Sequence, residues 1–158
     1  MRLRHTLLAA AAFAALALPA GAQQRIPVGH LQDLTGATSD VGKPYAEGVA
    51  DALAWVNATR NGVAGRQLNV LAYDYGYQAP RAIAQYQAWT SRDRVVAIQG
   101  WGTADTEALT QFVTRDRIPY ISASYSAALT DPAGKARPDS KPAPFNFFYG
   151  PSYSDAAR

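Results

Sequence analysis

The amino-acid sequence predicts an α/β fold built on a doubly wound parallel sheet. Stretches with the two-residue period of a β-strand alternate along the chain with stretches of helical period. Glycine-containing turns such as Asn61-Gly62 separate several of them. Strands that alternate with helices form parallel sheets, and right-handed crossovers place the helices on both faces. We therefore expect a Rossmann-like layout.

The periodicity places each element along the chain. Five strands are predicted, at 25–31, 67–75, 94–99, 118–122 and 145–150. Three helices are predicted between them, at 44–59, 80–93 and 105–116. Pro44 suits the first turn of the first helix. The proline-rich stretch at 124–146 lacks periodicity and predicts an exposed loop.

The stretch 151–158 predicts the start of a further helix, with Ser152 or Ser154 as its N-cap. This helix has no second turn, so its apolar face has nothing to pack against. We expect 23–158 to be an N-terminal ligand-binding lobe of a longer protein, truncated at its C-terminus. The alternative is a naturally short domain with a frayed tail.

The first residues, 1–22, predict a secretory signal peptide. Two arginines precede an unbroken apolar stretch at 7–18, and small residues lead to a cleavage site after Ala22. A membrane-spanning helix needs about 20 apolar residues, and this stretch is shorter. We therefore expect export, with no stable membrane insertion after cleavage.

Charge and cysteine content exclude several classes of function. Two of the 15 lysine and arginine residues, Arg2 and Arg4, lie in the predicted leader, which leaves 13 against 12 acidic residues. This balance, with basic residues scattered singly, argues against nucleic-acid binding. The absence of cysteine excludes disulfides, thiolate metal sites and a lipid-modified cysteine after the leader. A periplasmic location in a Gram-negative bacterium fits these features best.

Three loops that follow predicted strands share a composition typical of ligand binding. They are "QDLTGATSDVGKPY", "GWGTADT" and "SASYSAAL", all rich in small residues. Each contains one large aromatic residue, namely Tyr45, Trp101 and Tyr125. Because carboxyl ends of parallel strands meet at one edge, where helix N-termini present N–H groups, the loops can bind a small amphipathic ligand. Ordinary turns and helix caps are the alternative interpretation.

No motif indicates a cofactor or a metal centre. The first strand leads into "QDLTGATSDVG", which is not a dinucleotide-binding fingerprint, and no P-loop sequence occurs. His30 is the only histidine after the leader, which excludes a multi-histidine metal site and favours a strand-end role over catalysis. Asp33, Asp74 and Asp105 follow or end strand-like segments, where acid–base work and turn hydrogen bonding are both open. We expect no cofactor and no enzymatic activity.

Taken in order, these segments resemble the N-terminal part of the type I periplasmic binding proteins, the leucine/isoleucine/valine-binding family that serves ABC importers. The resemblance covers 26–158 and depends on the ordered set. The matching stretches are "DLTGATSDVGKPYAEGVADALAWVNA", "NGVAGRQLNVLAYDY", "RDRVVAIQGWGTADTEAL" and "RIPYISASYSAALTD".

This resemblance implies a ligand site at the three loops and a partner permease in an ABC importer. The site residues are expected to be Tyr45, Trp101, Gly102, Thr103, Ala104, Ser124, Tyr125 and Ser126. Thr103 or Ala104 would give a donor to a ligand carboxylate. Ser124 and Ser126 would bind the same carboxylate and any α-ammonium group, and the aromatic residues would line the ligand. A second lobe, missing here, would complete the pocket.

Two departures from the family pattern bear on the ligand. Trp101 is bulkier than the small residues expected in that loop for an aliphatic amino acid. "SASYSA" replaces a run that usually contains proline and threonine. Both favour aromatic or other small carboxylates over branched-chain amino acids. A ligand-sensing domain of a receptor or regulator is the alternative function, whereas a Rossmann-type enzyme is disfavoured.

Overall fold

Residues 25–138 and 140–158 are described by a computed structural model, and the predicted leader lies outside them. Within these ranges, parallel strands form a sheet in the order β2-β1-β3-β4-β5. The strands are β1 Ile26–Gln32, β2 Leu68–Asp74, β3 Ala97–Gln99, β4 Tyr120–Ser122 and β5 Asn146–Phe148. The α-helices are α1 Ser39–Arg60, α2 Ala79–Ala88, α3 Thr103–Asp116 and α4 Tyr153–Ala156. None of the helices in this described part is both long and apolar enough to cross a bilayer.

The strand order confirms the predicted doubly wound sheet. The chain steps from β1 outward to β2, then returns past β1 to β3 and continues to β4 and β5. Right-handed crossovers in opposite directions place α1 on one face and α2 and α3 on the other. Because the direction reverses between β1 and β3, the loops after these two strands diverge and leave a crevice at the carboxyl edge.

The core on the α2 and α3 face consists of large apolar side chains with almost no exposure. Its members include Leu31, Tyr75, Tyr86, Trp89, Ile98, Leu109, Val113 and Tyr120. Trp89 lies so close over β1 that a Cβ at Gly29 would come within 2.7 Å of indole Cε3. Each such side chain contributes about 1.5–3 kcal/mol on burial, which fixes the strands whose ends position the crevice.

Helix α1 begins at Ser39, five residues before its predicted start, so Pro44 lies inside the helix rather than in its first turn. The cause is Asp33, whose carboxylate accepts hydrogen bonds from the Thr38 N–H at 3.0 Å and the Thr38 hydroxyl at 2.6 Å. These bonds organise the residues just before the first turn. Proline leaves the carbonyl of Asp40 without its usual partner, and exposure of Asp40 lets water replace it.

Strands β3 and β4 start later than predicted because a left-handed residue follows each preceding helix. After α2, Trp89–Asp93 form a π-helical turn that ends at Arg94, whose φ of 54° is left-handed. Helix α3 ends in the same way at Arg117, with a φ of 57°. Strand β3 therefore starts at Ala97 and β4 at Tyr120, each a few residues later than their periodicity indicates.

The segment 124–146 is not entirely the exposed loop that was predicted. It contains a 3₁₀ turn at Ala127–Leu129, and Ala143 and Asn146 are buried. The Asn146 amide donates to the Thr110 hydroxyl at 2.9 Å, which ties this segment to α3. Of the two predicted N-caps, Ser152 caps α4, since its hydroxyl accepts from the Asp155 N–H at 3.2 Å.

His30 lies within β1 and is fully buried. Gln32 donates its amide N–H to Nδ1 at 3.2 Å, so the ring proton lies on Nε2, which has no partner among the described residues. Burial lowers the pKa of His30 from 6.5 to about 4. The folded protein therefore excludes a proton that the unfolded chain accepts below pH 6.5.

We expect the free energy of unfolding to fall as pH drops from about 6.5 to about 4, by about 2–3 kcal/mol from this residue alone. Urea unfolding of the parent and of His30→Gln across this range measures the effect. Carboxylates also titrate as the pH falls, for example Asp116, whose pKa the Arg115 guanidinium lowers to about 2. Their effect on the free energy of unfolding is the same in both proteins. Equal pH slopes in the two proteins would contradict the prediction.

Candidate functional site

A cleft of about 570 Å³ opens at the carboxyl edge of the sheet, beside the reversal in strand order. Segments that follow all five strands contribute to its lining. The lining residues are Thr38, Val41, Pro44, Tyr45, Tyr77, Trp101, Gly102, Thr103, Ala123, Tyr125 and Tyr153. Aromatic rings and small polar side chains predominate, and no described residue of this lining is acidic, basic or histidine.

Trp101 forms one wall of the cleft and is held at both its backbone and its ring. The indole N–H donates to the Thr38 hydroxyl at 2.8 Å, and the ring packs against Tyr45 with centroids 4.7 Å apart at 47°. The Tyr45 hydroxyl donates to the Gly100 carbonyl at 3.2 Å and accepts from the Gln99 amide at 2.7 Å. Burial raises the pKa of Tyr45 well above its ordinary value, so the hydroxyl stays protonated. The two rings therefore form a fixed aromatic corner.

A pair of hydroxyls lies beside this corner. Thr103 Oγ1 is 3.1 Å from Ser124 Oγ, which joins the start of α3 to the loop after β4. Thr103 lines the cleft, whereas Ser124 is fully buried behind it. The N–H groups of Thr103 and Ala104 belong to the first turn of α3, where no carbonyl one turn earlier is available. Hydroxyl and N–H donors are thus concentrated at the positive end of a helix.

Asp105 organises the loop that carries Trp101. Its fully buried carboxylate accepts from the N–H groups of Trp101 at 2.9 Å and Gly102 at 2.8 Å. It also accepts from the hydroxyl of Tyr75 at 2.5 Å and from that of Tyr120. Burial raises the pKa of Asp105, and the four donated hydrogen bonds oppose that shift. Burial and the neighbouring carboxylate raise the pKa of both tyrosines, so both remain donors.

Two tyrosines of the lining have left-handed backbones. Tyr77 has a φ of 57° and Tyr125 a φ of 59°. Bulky side chains rarely adopt this conformation, which costs about 1–3 kcal/mol and occurs preferentially at functional sites. Tyr125 also packs edge-on against Phe148 and Tyr153, with centroids 6.0 Å apart in each pair. Two of the six described non-glycine residues with a positive φ therefore shape the cleft.

The structure brings together five of the eight residues predicted for the site: Tyr45, Trp101, Gly102, Thr103 and Tyr125. Ser124 supports Thr103 from behind, and Ala104 lies in the first turn of α3 outside the lining. Ser126 lines a separate depression of about 290 Å³. The lining residues that sequence reasoning did not name for the site are Thr38, Val41, Pro44, Tyr77, Ala123 and Tyr153. Four of them lie in the loops "QDLTGATSDVGKPY" and "SASYSAAL", which the sequence had singled out, whereas Tyr77 and Tyr153 lie outside those loops.

The strand-end aspartates all accept backbone hydrogen bonds. Asp33 accepts from Gly36 N–H at 2.6 Å, and Asp74 accepts from the N–H groups of Leu34 and Gly76 at 3.0 Å. Asp105 does the same for the loop before α3. These contacts favour the turn and cap interpretation over acid–base work. Among the described residues, no group of three or more acidic or histidine side chains is placed to hold a metal ion.

Comparison with known proteins agrees with this architecture. A family model described as periplasmic binding protein matches residues 25–158. An ABC transporter substrate-binding protein from Aeropyrum pernix is 43% identical with a TM-score of 0.71, covering 84% of this chain and 33% of that one. A search of curated proteins found no match.

Two further solved structures are similar. A branched-chain amino acid ABC transporter protein from Thermus thermophilus with bound valine is 27% identical, with a TM-score of 0.72, covering 84% of this chain and 32% of that one. A fatty acid ABC transporter substrate-binding protein from Thermomonospora curvata is 28% identical, with a TM-score of 0.61 and coverages of 67% and 27%. The chain spans about a third or less of these structures. The family match over 25–158 and the parallel sheet together show that the chain belongs to the periplasmic binding proteins.

Proposed function

We propose that this chain is the N-terminal lobe of an exported solute-binding protein that captures a small carboxylate or amino acid for an ABC importer. One observation carries the proposal: an aromatic corner and a cluster of hydroxyl and N–H donors share one cleft at the carboxyl edge of the sheet. Valine and fatty acids, named for two of the similar structures, both combine a carboxylate with an apolar part. Such ligands need the donor cluster for the carboxylate and the aromatic corner for the apolar part.

In this proposal, the ligand carboxylate binds at Thr103 and Ala104. Asp105 already accepts the N–H groups of Trp101 and Gly102, so those donors are occupied. The next N–H groups along α3, together with the Thr103 hydroxyl, can donate to an anion at the positive end of the helix. Because the described lining contains no ionised side chain, hydrogen bonds and the helix dipole neutralise the ligand's charge.

The aromatic corner selects the apolar part of the ligand. Trp101 and Tyr45 present ring surfaces, and Tyr125 faces the same cleft. Flat rings pack on such surfaces over a large contact area. We therefore propose an aromatic carboxylate, with a branched-chain amino acid as the alternative. A second lobe in the complete protein closes over the ligand, and the permease of an importer is the partner.

Export is part of this proposal. The leader at 1–22 directs the chain to the periplasm, and cleavage leaves Gln23 as the first residue. Mass spectrometry of the periplasmic protein tests this directly. A membrane-bound product that retains the leader would contradict it.

Substitutions at the donor cluster and at the wall test ligand capture. A charge-assisted hydrogen bond contributes about 1.5–3 kcal/mol, so Thr103→Ala is expected to weaken binding about tenfold to a hundredfold. Trp101→Ala removes the wall and is expected to weaken binding of aromatic ligands at least as much. Calorimetry on the protein expressed from its complete reading frame, with benzoate, other aromatic carboxylates and L-valine, measures both effects.

Thr59→Ala and Trp55→Ala are matched controls, since both residues are exposed on α1. Neither is expected to change affinity. If Thr103→Ala and Trp101→Ala bind every ligand of the parent equally tightly, the loop after β3 is only a turn and a helix cap.

A further inference from the structure

We infer that Thr38 and Asp33 are positioning residues that hold the Trp101 indole in one orientation, as a fixed wall of the cleft. The hydrogen bonds run in one direction, from the indole N–H to the Thr38 hydroxyl at 2.8 Å and from that hydroxyl to Asp33 Oδ2 at 2.6 Å. Threonine has a single hydroxyl proton, and Asp33 accepts it. The Thr38 oxygen therefore presents a lone pair to Trp101.

Asp33 provides a rigid end to this chain of hydrogen bonds. It is fully buried, and its carboxylate also accepts from the N–H groups of Gly36 at 2.6 Å and Thr38 at 3.0 Å. Three hydrogen bonds thus fix the carboxylate relative to the turn that begins α1. A carboxylate with these partners cannot rotate away without leaving buried donors unpaired.

The backbone of Trp101 is fixed independently of Thr38. Its N–H donates to Asp105 Oδ2 at 2.9 Å, and its carbonyl accepts from the Ala123 N–H at 2.8 Å. The side chain packs against Tyr45 and against the apolar core, and its indole N–H donates to the Thr38 hydroxyl. The Thr38 hydrogen bond is the directional one of these contacts, so it selects one orientation of the half-buried indole.

A fixed indole matters for ligand selection. A wall that is already ordered gives a flat ligand its contact surface without an entropic cost at binding. The same fixed indole does not move aside to make room for a branched ligand side chain. We therefore expect Thr38 to influence the preference between flat and branched carboxylates, and this second expectation rests on the proposed function.

The indole N–H resonances in ¹H–¹⁵N spectra of the complete protein test the positioning role without any ligand. Trp101→Phe identifies the Trp101 signal among those of the three tryptophans. Thr38→Val removes the hydroxyl at nearly constant volume, and Thr38→Ser restores it. Thr38→Val is expected to shift the Trp101 signal and speed its hydrogen exchange about two- to tenfold, as expected for one lost hydrogen bond. Thr38→Ser is expected to resemble the parent.

An unchanged Trp101 signal and exchange rate in Thr38→Val would overturn the inference. A second test compares two tryptophans of the parent protein, whose signals Trp101→Phe and Trp55→Ala identify. Trp55 is 53% exposed, so its indole N–H is expected to exchange faster than that of Trp101. Equal exchange of the two would also overturn the inference.

Calorimetry with benzoate and L-valine adds the ligand readout. Thr38→Val is expected to lower the ratio of benzoate to valine affinity about two- to tenfold, and Thr38→Ser to preserve it. An unchanged ratio of benzoate to valine affinity would refute a role of Thr38 in ligand selection. The exchange data would still test whether Thr38 positions the indole. If the parent binds neither probe, the proposed ligand class fails, and the exchange data still decide whether Thr38 positions Trp101.

Discussion

Gly100→Ala is expected to destabilise the protein by about 3 kcal/mol or more, at or above the upper end for overpacking of a core. A Cβ at this position would lie 2.6 Å from Cε1 of Tyr120 and would also overlap its Cζ and hydroxyl oxygen. Tyr120 is fully buried, and its hydroxyl is bound to Asp105, so the ring has no space to move into. The Gly100 N–H donates to the Ile121 carbonyl at 2.7 Å, which keeps the backbone in place.

Urea unfolding followed by circular dichroism measures the loss. Gly48→Ala is the matched control, because a Cβ at Gly48, within α1, would meet no atom within 4 Å. Alanine in place of an exposed helical glycine is expected to stabilise by about 0.5–1 kcal/mol. The prediction fails if both variants change stability by the same amount, since Gly100 would then have no steric role.

The alternation of strand and helix patterns was enough to predict the fold. Parallel strands ending at one edge also brought Tyr45, Trp101 and Tyr125 into one cleft, although 80 positions separate the first from the last. That juxtaposition follows from topology alone, because each loop leaves the same edge of the sheet. Element order and the location of the cleft were therefore accessible from the sequence.

The contacts that give the cleft its shape were not accessible in this way. The hydrogen bond from Trp101 to Thr38 joins residues 63 positions apart, and no local pattern encodes it. The early start of α1 depends on Asp33, which acts from five residues before Thr38. Tyr153 is held at the lining by its N–H, which donates to the Tyr125 carbonyl at 2.8 Å, and by packing of the two rings. Such contacts depend on tertiary packing, which periodicity does not specify.

Asp105→Ala is expected to destabilise the protein by about 3–5 kcal/mol, because it leaves several buried donors without an acceptor. The donors are the hydroxyls of Tyr75 and Tyr120 and the N–H groups of Trp101 and Gly102. Both tyrosines are fully buried, so water cannot replace the carboxylate unless the core opens.

Asp105→Asn separates loss of hydrogen bonding from loss of volume. Asparagine keeps the size of the side chain but replaces one oxygen by an NH₂ group. Each carboxylate oxygen accepts one tyrosine hydroxyl and one backbone N–H, so the NH₂ group would face two donors. We expect a loss of stability between that of the alanine variant and that of the parent.

Glu107→Ala is the control for removing an acidic side chain from α3, since Glu107 is exposed on the same helix. It is expected to change stability by no more than about 0.5 kcal/mol. Urea unfolding of the three variants orders them as Glu107→Ala, Asp105→Asn and Asp105→Ala, from most to least stable. An Asp105→Ala protein as stable as Glu107→Ala would show that the carboxylate does not organise this loop. Because the same carboxylate fixes the backbone of Trp101, the folded fraction of Asp105→Asn is also expected to lose protection at the Trp101 backbone N–H in hydrogen exchange.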